Sequence, residues 1–280
     1  MLISLIIGTL NRAEYLSKCL DSIRRQTYSH YEVVIIDQST NDETKELVEK
    51  IDSIRIVYKK VEFKGLSKAR NEAIKLASGD VFCLIDDDAY YHKDYLLNLV
   101  KIYNKHNNII VSGVLWNAIT QTPFVNYSGL KEGESLSFWK LTRYCPSPAI
   151  SFPRSLIDEV GLFDENFGVG AKYGAAEETD LLIRAKKTGY SVIHSKKIKA
   201  QHPHKWVKDN GTIDKEKIYS YSYGIGAMYK KNTGGRLLSV IGLVYLERLF
   251  RDVIKGLINS EDWNLYHNLK KGFDDYKVTE

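Results

Sequence analysis

An α/β fold built on one doubly wound, mostly parallel sheet flanked by helices is the architecture this sequence predicts, and three observations carry the expectation. Short runs of apolar β-formers alternate with helix-period segments as far as residue 114. These runs are apolar at successive positions, as strands covered on both faces must be. Carboxylates stand at the ends of two of them, at Asp37 and at Asp86-Asp87-Asp88, which places acids on the carboxyl rim where open α/β sheets bind ligands.

Taken in order, residues 2–7 give the first strand, and Gly8-Thr9-Leu10-Asn11-Arg12 gives a turn. Leu16, Cys19, Leu20 and Ile23 then recur at helical spacing. Residues 31–36 form the second strand, ending at Asp37. A helix capped by Thr40 or Asn41 follows to Ile51, then a third strand over 54–58. The segment 66–78 is a helix stopped by Gly79, and 81–85 is the strand that runs into the three aspartates. A helix near 94–104 and a strand over 109–114 come next. Between 116 and 144 aromatics, glycine and serine mix without a period, which predicts an irregular excursion facing substrate. A strand at 149–152, a short helix at 155–160, a strong helix at 177–188 closed by Gly189 and a strand at 190–194 complete the pattern.

At 280 residues the chain can bury a sizeable core. Its three cysteines, Cys19, Cys83 and Cys145, are widely spaced, which predicts buried thiols in a reducing compartment. The apolar start is too short for a signal sequence and lacks a basic flank, so a cytoplasmic location is expected. The net charge of +5 is unevenly spread: residues 1–180 carry −4 and residues 181–280 carry +9. Such a basic rear suits an anionic partner such as a membrane surface or a phosphate-bearing acceptor, and no nucleic acid is expected.

Three adjacent carboxylates repel one another unless a cation compensates, and oxygen ligands favour Mg²⁺ or Mn²⁺ completed by substrate phosphates. With one glycine, the first turn does not satisfy the dinucleotide-binding pattern. Asp37 is placed to accept an N–H from a base, with a local turn role as its alternative. Arg70 offers a forked donor for a carboxylate or phosphate.

The combination Thr9-Leu10-Asn11-Arg12, Asp37-Gln38-Ser39-Thr40, Ala69-Arg70-Asn71, Ser78-Gly79-Asp80 and Asp86-Asp87-Asp88 resembles the family 2 inverting glycosyltransferases of GT-A fold. Gly161-Leu162-Phe163-Asp164-Glu165-Asn166-Phe167-Gly168 and Glu177-Glu178-Thr179-Asp180-Leu181-Leu182-Ile183-Arg184 extend the likeness to about residue 204. The resemblance implies a GT-A catalytic domain over 1–204 and a helical region over 205–280. It implies that Thr9, Leu10, Asn11, Arg12, Asp37, Arg70, Asp86 and Asp87 bind a nucleoside diphosphate sugar of UDP or dTDP type. Asp88, with Asp86 and His202, would hold the divalent cation.

The base of an inverting transfer must take a proton from the acceptor hydroxyl. Family relatives often use the second acid of a Glu-Asp pair at a helix start, which here corresponds to Glu178, with Glu177 as its alternative. Glu177 and Asp180 share a helix side, so one can orient the acceptor while the other caps the helix. These acids and those of the strand ends are expected to converge on one cleft. Leu10 stands where many relatives have an aromatic, so its stacking on a base discriminates less.

After residue 204 comes an aromatic, glycine-bearing stretch, and then an apolar run over 237–246 that continues as an amphipathic segment. Ten residues span only about half a bilayer core. Its alternatives are a membrane interface, the catalytic domain or a second subunit in a homodimer. The expected function is transfer to a glycan or lipid-linked glycan acceptor in surface polysaccharide assembly. The rivals are a sugar-phosphate nucleotidyltransferase, which would want a glycine-rich basic first loop, and an inactive glycan-binding scaffold subunit.

Overall fold

A computed structural model of the chain describes residues 1–203, 212, 214–233 and 260–277. Contacts divide it into two compact units: Met1–Phe163 with Leu181–Lys205, and Asp164–Asp180 with Trp206–Glu280. The segment Asp164–Asp180, assigned from sequence to the catalytic region, thus groups with the tail.

The first unit is built on strands β1 (Ile3–Thr9), β2 (Tyr31–Asp37), β3 (Ile56–Lys60), β4 (Val81–Leu84), β5 (Tyr90–Tyr91), β6 (Ile109–Asn117), β7 (Ile150–Pro153) and β8 (Ser191–His202). They form one sheet in the order β3-β2-β1-β4-β7-β6-β8-β5. Four neighbouring pairs are parallel, those of β1 with β2, β1 with β4, β2 with β3 and β6 with β8. Because β7 enters antiparallel between β4 and β6, and β5 pairs antiparallel with β8, the half beyond β4 is mixed. Helices α1 (Ala13–Arg24), α2 (Glu43–Glu49), α3 (Leu66–Leu76), α4 (Tyr95–Tyr103), α5 (Phe138–Tyr144) and α6 (Arg154–Val160) connect the strands. Leu16, Cys19, Leu20 and Ile23 of α1 pack with Leu5, Val33, Cys83 and Tyr95 in one core, which is why those apolar runs have no polar face.

Strand β8 is longer than its sequence suggests. Ser112 pairs with His194 and Val114 with Lys199, so residues 195–198 all stand opposite Gly113. A Cβ on Gly113 would collide with the backbone and side chain of Ile198, so only glycine admits this irregularity. The basic residues Lys196 and Lys197 lie in it, exposed. Beyond it the strand resumes and carries residues 199–202 to the rim. The two-residue β5, which the sequence pattern does not reveal, caps that edge.

Helix α7 (Glu177–Lys187) contributes its first turn to the second unit and the remainder to the first. Arg184 fixes the latter part by donating to the carbonyls of Val160 and Leu162, so that α7 is tied to the end of α6. The second unit also holds α8 (Lys215–Thr233) and α9 (Ser260–Asp275). A Cβ on Gly224 would lie 2.8 Å from the Ala175 nitrogen, so α8 needs glycine there to approach the segment that precedes α7. Gly226 and Gly272 likewise let the α8 and α9 backbones meet. Among the described residues no helix is long and apolar enough to cross a membrane. The apolar and amphipathic stretch over 237–257 lies outside the described residues.

Candidate active site

In the first unit the strand-end acids are brought onto one rim by register. Thr9, at the end of β1, pairs with Asp37 at the end of β2, and β4 on the other side of β1 leads directly into Asp86. The turn after β1 then reaches in both directions. Thr9 Oγ1 donates to Asp87 Oδ2 at 2.8 Å, and Arg12 donates to Asp87 Oδ1 at 2.8 Å and to Asp88 Oδ2 at 2.5 Å. Asn11 holds the left-handed conformation, φ 52°, with its N–H on Ser39 Oγ and its side-chain oxygen accepting from the Thr40 N–H. That geometry explains an asparagine here, since it tolerates positive φ and can hydrogen-bond locally. Leu10 beside it is exposed, leaving a small apolar face at the rim.

Asp37 is fully buried and both oxygens are engaged: Oδ1 accepts from the Ser39 N–H and Oδ2 from the Tyr58 hydroxyl, each at 2.8 Å. The neighbouring carboxylate and burial push the Tyr58 phenol up, burial being the larger cause, so that it remains a donor. Each carboxylate oxygen retains a lone-pair direction for a further donor. Arg70 is buried on α3, pairs with Asp86 Oδ1 at 3.0 Å and donates to Ser147 Oγ at 2.5 Å. The Asp86 carboxylate is therefore directed at Arg70.

The three aspartates are electrostatically distinct. Burial pushes Asp87 up to about 6 in spite of Arg12 and Thr9. Burial acts on Asp88 in the same sense, but His202 and Arg12 overcome it and hold that carboxyl below its ordinary range. His202 Nε2 lies 2.9 Å from Asp88 Oδ1, and its Nδ1 is 2.6 Å from the Pro203 carbonyl. Burial lowers the imidazole pKa, yet the Asp88 hydrogen bond and charge outweigh it and raise the net value.

Whether these residues fit a divalent cation can be judged from the donors. No group of three or more His, Cys, Asp or Glu side chains among the described residues is set to hold a metal. Asp88 and His202 nevertheless form a carboxylate–imidazole pair, and an Nδ1–H on the Pro203 carbonyl would leave Nε2 as the ligating nitrogen. Two protein ligands suit Mn²⁺ or Mg²⁺ when substrate phosphates and water supply the others.

In the second unit, Glu177, Glu178 and Asp180 lie in the first turn of α7, where acids complement the helix dipole. Ala176, immediately before them, adopts φ 73° and is buried, a strained conformation for a residue with a Cβ. Asp180 has no exposed surface. Lys231 sits 2.8 Å from its Oδ1 and Asn232 donates to the same oxygen at 2.9 Å, while Lys231 also pairs with Asp164 Oδ2 at 2.8 Å. These contacts tie Asp180 to α8, which neither expected role, orienting the acceptor or capping the helix, describes. Glu177 is buried and Glu178 half-buried.

The chain matches the family model described as Glycosyl transferase family 2 over residues 4–160, more than half of its length. It belongs to that family. The expected GT-A fold is likewise what the sheet and its solved relatives show. This glycosyltransferase is 28% identical over 216 residues to the glucosyl-dolichyl phosphate glucuronosyltransferase of Haloferax volcanii, covering 72% of this chain and 69% of that protein. It is also 28% identical over 138 residues to UDP-Glc:alpha-D-GlcNAc-diphosphoundecaprenol beta-1,3-glucosyltransferase WfaP of Escherichia coli, covering 46% of this chain and 55% of the relative. Among solved structures, the mannosyltransferase PcManGT of Pyrobaculum calidifontis, in complex with GDP-Man and Mn²⁺, superposes with a TM-score of 0.67 at 17% identity, over 96% of this chain and 85% of that one. At that identity the likeness is one of fold.

Tyr58, Ser147, Lys231 and Asn232 were not anticipated for this glycosyltransferase. Tyr58 was legible in part, since it falls in the strand expected over 54–58, the next one in the chain after the strand that ends at Asp37. Ser147 lies at the end of the irregular excursion, and Lys231 and Asn232 lie on a helix without apolar periodicity, so no local pattern marks them.

Proposed function

We propose that the protein is a metal-dependent inverting glycosyltransferase that moves a sugar from a nucleoside diphosphate donor to a glycan or lipid-linked glycan acceptor in surface polysaccharide assembly. The observation that carries this reading is the pairing of Asp88 with His202 on the strand-end rim, beside Arg12, Asp87 and Asp86. It is a donor set for one hard cation at the place where an α/β sheet binds a nucleotide. Relatives named for transfer to dolichyl phosphate and diphosphoundecaprenol glycans support a lipid-linked acceptor, and a relative that uses UDP-Glc supports a uridine carrier. A peripheral membrane location and a homodimer remain part of the proposal through the basic tail.

In this mechanism Asp37, held by Ser39 and Tyr58, accepts the imide N–H of a pyrimidine, and Leu10 packs on the base. Arg70, fixed by Asp86 and Ser147, presents its guanidinium toward the donor phosphates. Asp88 and His202 would hold the cation, which when bound neutralises charge on the departing nucleoside diphosphate. Glu178 takes the proton of the acceptor hydroxyl; that oxygen forms its bond to the anomeric carbon as the bond to the diphosphate oxygen breaks, inverting the centre. Asp180, paired with Lys231 and accepting a hydrogen bond from Asn232, keeps the turn that carries Glu178 in place.

Incubation with a panel of sugar nucleotides, with Mn²⁺ or with chelator, tests the reading. Metal-dependent release of nucleoside diphosphate is expected from the matching donor. Release of pyrophosphate from a nucleoside triphosphate and a sugar phosphate would indicate the nucleotidyltransferase instead, and no turnover with any donor would indicate the scaffold.

A further inference from the structure

A cavity of about 720 Å³ opens in the first unit between α1 and the β5–β8 edge of the sheet. The nucleotide-reading residues Asp37 and Arg70 do not line it. The register of the edge gives it two chemically different ends. Tyr90 pairs with Gln201, and Gln201 pairs with Trp116 on the other side, so these three residues stand together, with Tyr90 two residues from Asp88 and Gln201 adjoining His202 in the chain. Two residues along, about 7 Å at strand rise, the His92 N–H donates to the Lys199 carbonyl, and Lys93 follows. The end of α1 is tied to the same place: the Thr27 N–H donates to the Lys93 carbonyl and the Gln26 side chain to the His92 carbonyl, which brings Arg25 alongside.

The charges in this cavity do not cancel. Asp21 is paired with Arg24 and Lys18 with Glu14. Arg25, Lys93 and Lys199 are exposed and line the cavity with no carboxylate within ion-pair distance among the described residues. Three like charges lining the same end of the cavity repel one another, and an anion there would relieve that repulsion. At the other end, the phenol, the indole and the amide present flat apolar faces with hydrogen-bonding edges, suited to a sugar ring and its hydroxyls. The indole N–H of Trp116 is buried and has no partner among the described residues.

We infer that this groove binds an acceptor bearing a phosphate or diphosphate, with its sugar against Tyr90, Trp116 and Gln201 and its phosphate against Arg25, Lys93 and Lys199. The inference rests on the transferase reading for the word acceptor, but the anion site stands on the charges alone. Polar order along the groove fits the reaction, because the sugar end is the one next to the cation-binding pair. An anionic bilayer headgroup offers the same phosphate chemistry, and the test separates the two sources.

Calorimetric titration of inorganic pyrophosphate in EDTA, which withholds the cation that a diphosphate needs at the donor site, reads the groove without metal or turnover. The full chain should bind pyrophosphate, and the double variant R25E/K93E should bind it at least tenfold more weakly. The exposed control K45E/K101E, which changes net charge equally, should bind like the parent. Sedimentation with phosphatidylglycerol vesicles forms the second arm and should respond to neither pair. Equal losses in both pairs would show only general charge attraction and overturn the site. Unchanged pyrophosphate binding in R25E/K93E would overturn it too, as would lost vesicle binding with pyrophosphate binding intact. Circular dichroism melts of both variants exclude misfolding, and a K199Q variant, whose smaller change removes one charge without reversing it, should give an intermediate loss. Because no arm needs transfer, a failure here is distinct from an absence of metal-dependent donor hydrolysis.

Discussion

The acids of the first unit and those of the second are compensated in different ways. Along the β-sheet rim, Asp86, Asp87 and Asp88 meet cations or donors from neighbouring elements: Thr9 from the end of β1, Arg12 from the turn after it, Arg70 from α3 and His202 from β8. In the first turn of α7, Asp180 is compensated by Lys231 and Asn232, both from α8 and some fifty residues away in sequence. The rim keeps part of its charge near solvent and available to a cation, whereas Asp180 is sealed. The contrast sets the rim acids, to which the proposed function gives substrate and cation, against an acid tied to α8, and it can be broken by substitution.

The largest effect should come from Asp88→Asn. Removing the carboxylate that faces His202 is expected to lower metal-dependent transfer about a thousandfold, in the range seen when one charge-stabilising group is lost. Steady-state kinetics against Mn²⁺ concentration would show it, and transfer that survives with unaltered metal dependence would break the assignment. On the other side of the comparison, Lys231→Met removes the lysine that pairs with the buried Asp180 carboxylate. Unpairing a buried charge costs about 3 to 5 kcal/mol. The second unit should lose that stability in denaturant melts, while Arg12→Met, whose partners retain Thr9 and His202, should cost less.

A smaller effect concerns pH. Asp88 raises the His202 pKa, so a proton competes with a metal for Nε2 to a higher pH than at an unperturbed imidazole. Metal affinity should therefore strengthen as pH rises through that raised value, by about tenfold or more, and His202→Gln should flatten the dependence. The same shift makes an opposite contribution to folding without metal. It is fully present below the ordinary histidine value near 6.5 and is lost as pH rises through the folded value. Thermal melts with and without Mn²⁺ across this range would sharpen the distinction.

Much of the first unit was legible because adjacent residues carry the signal. Apolar runs that stop at Asp37 and Asp86 give both the strands and their rim, and Arg12 and Arg70 lie in the turn and helix beside them. The mixed half of the sheet was less legible. Strand β8 is interrupted opposite Gly113 by a basic segment that ends the apolar run at 194, so its last residues, including His202, did not look like strand. The two residues of β5 are too few to show a period. The second unit was the least legible, since the partners of Asp180 sit on α8, where tyrosines, glycines and serines replace an apolar stripe. Glycine at 224 and 226 is the trace of that packing, a requirement for close backbone approach that becomes visible only when the opposing chain is known.

Single-turnover transfer by Glu178→Gln, measured alongside Mn²⁺-dependent donor binding, tests the account most directly. Loss of a general base should slow transfer about a thousandfold while donor affinity stays near that of the parent. Transfer at the parental rate would contradict the assignment of the base and, with it, the proposed inverting mechanism.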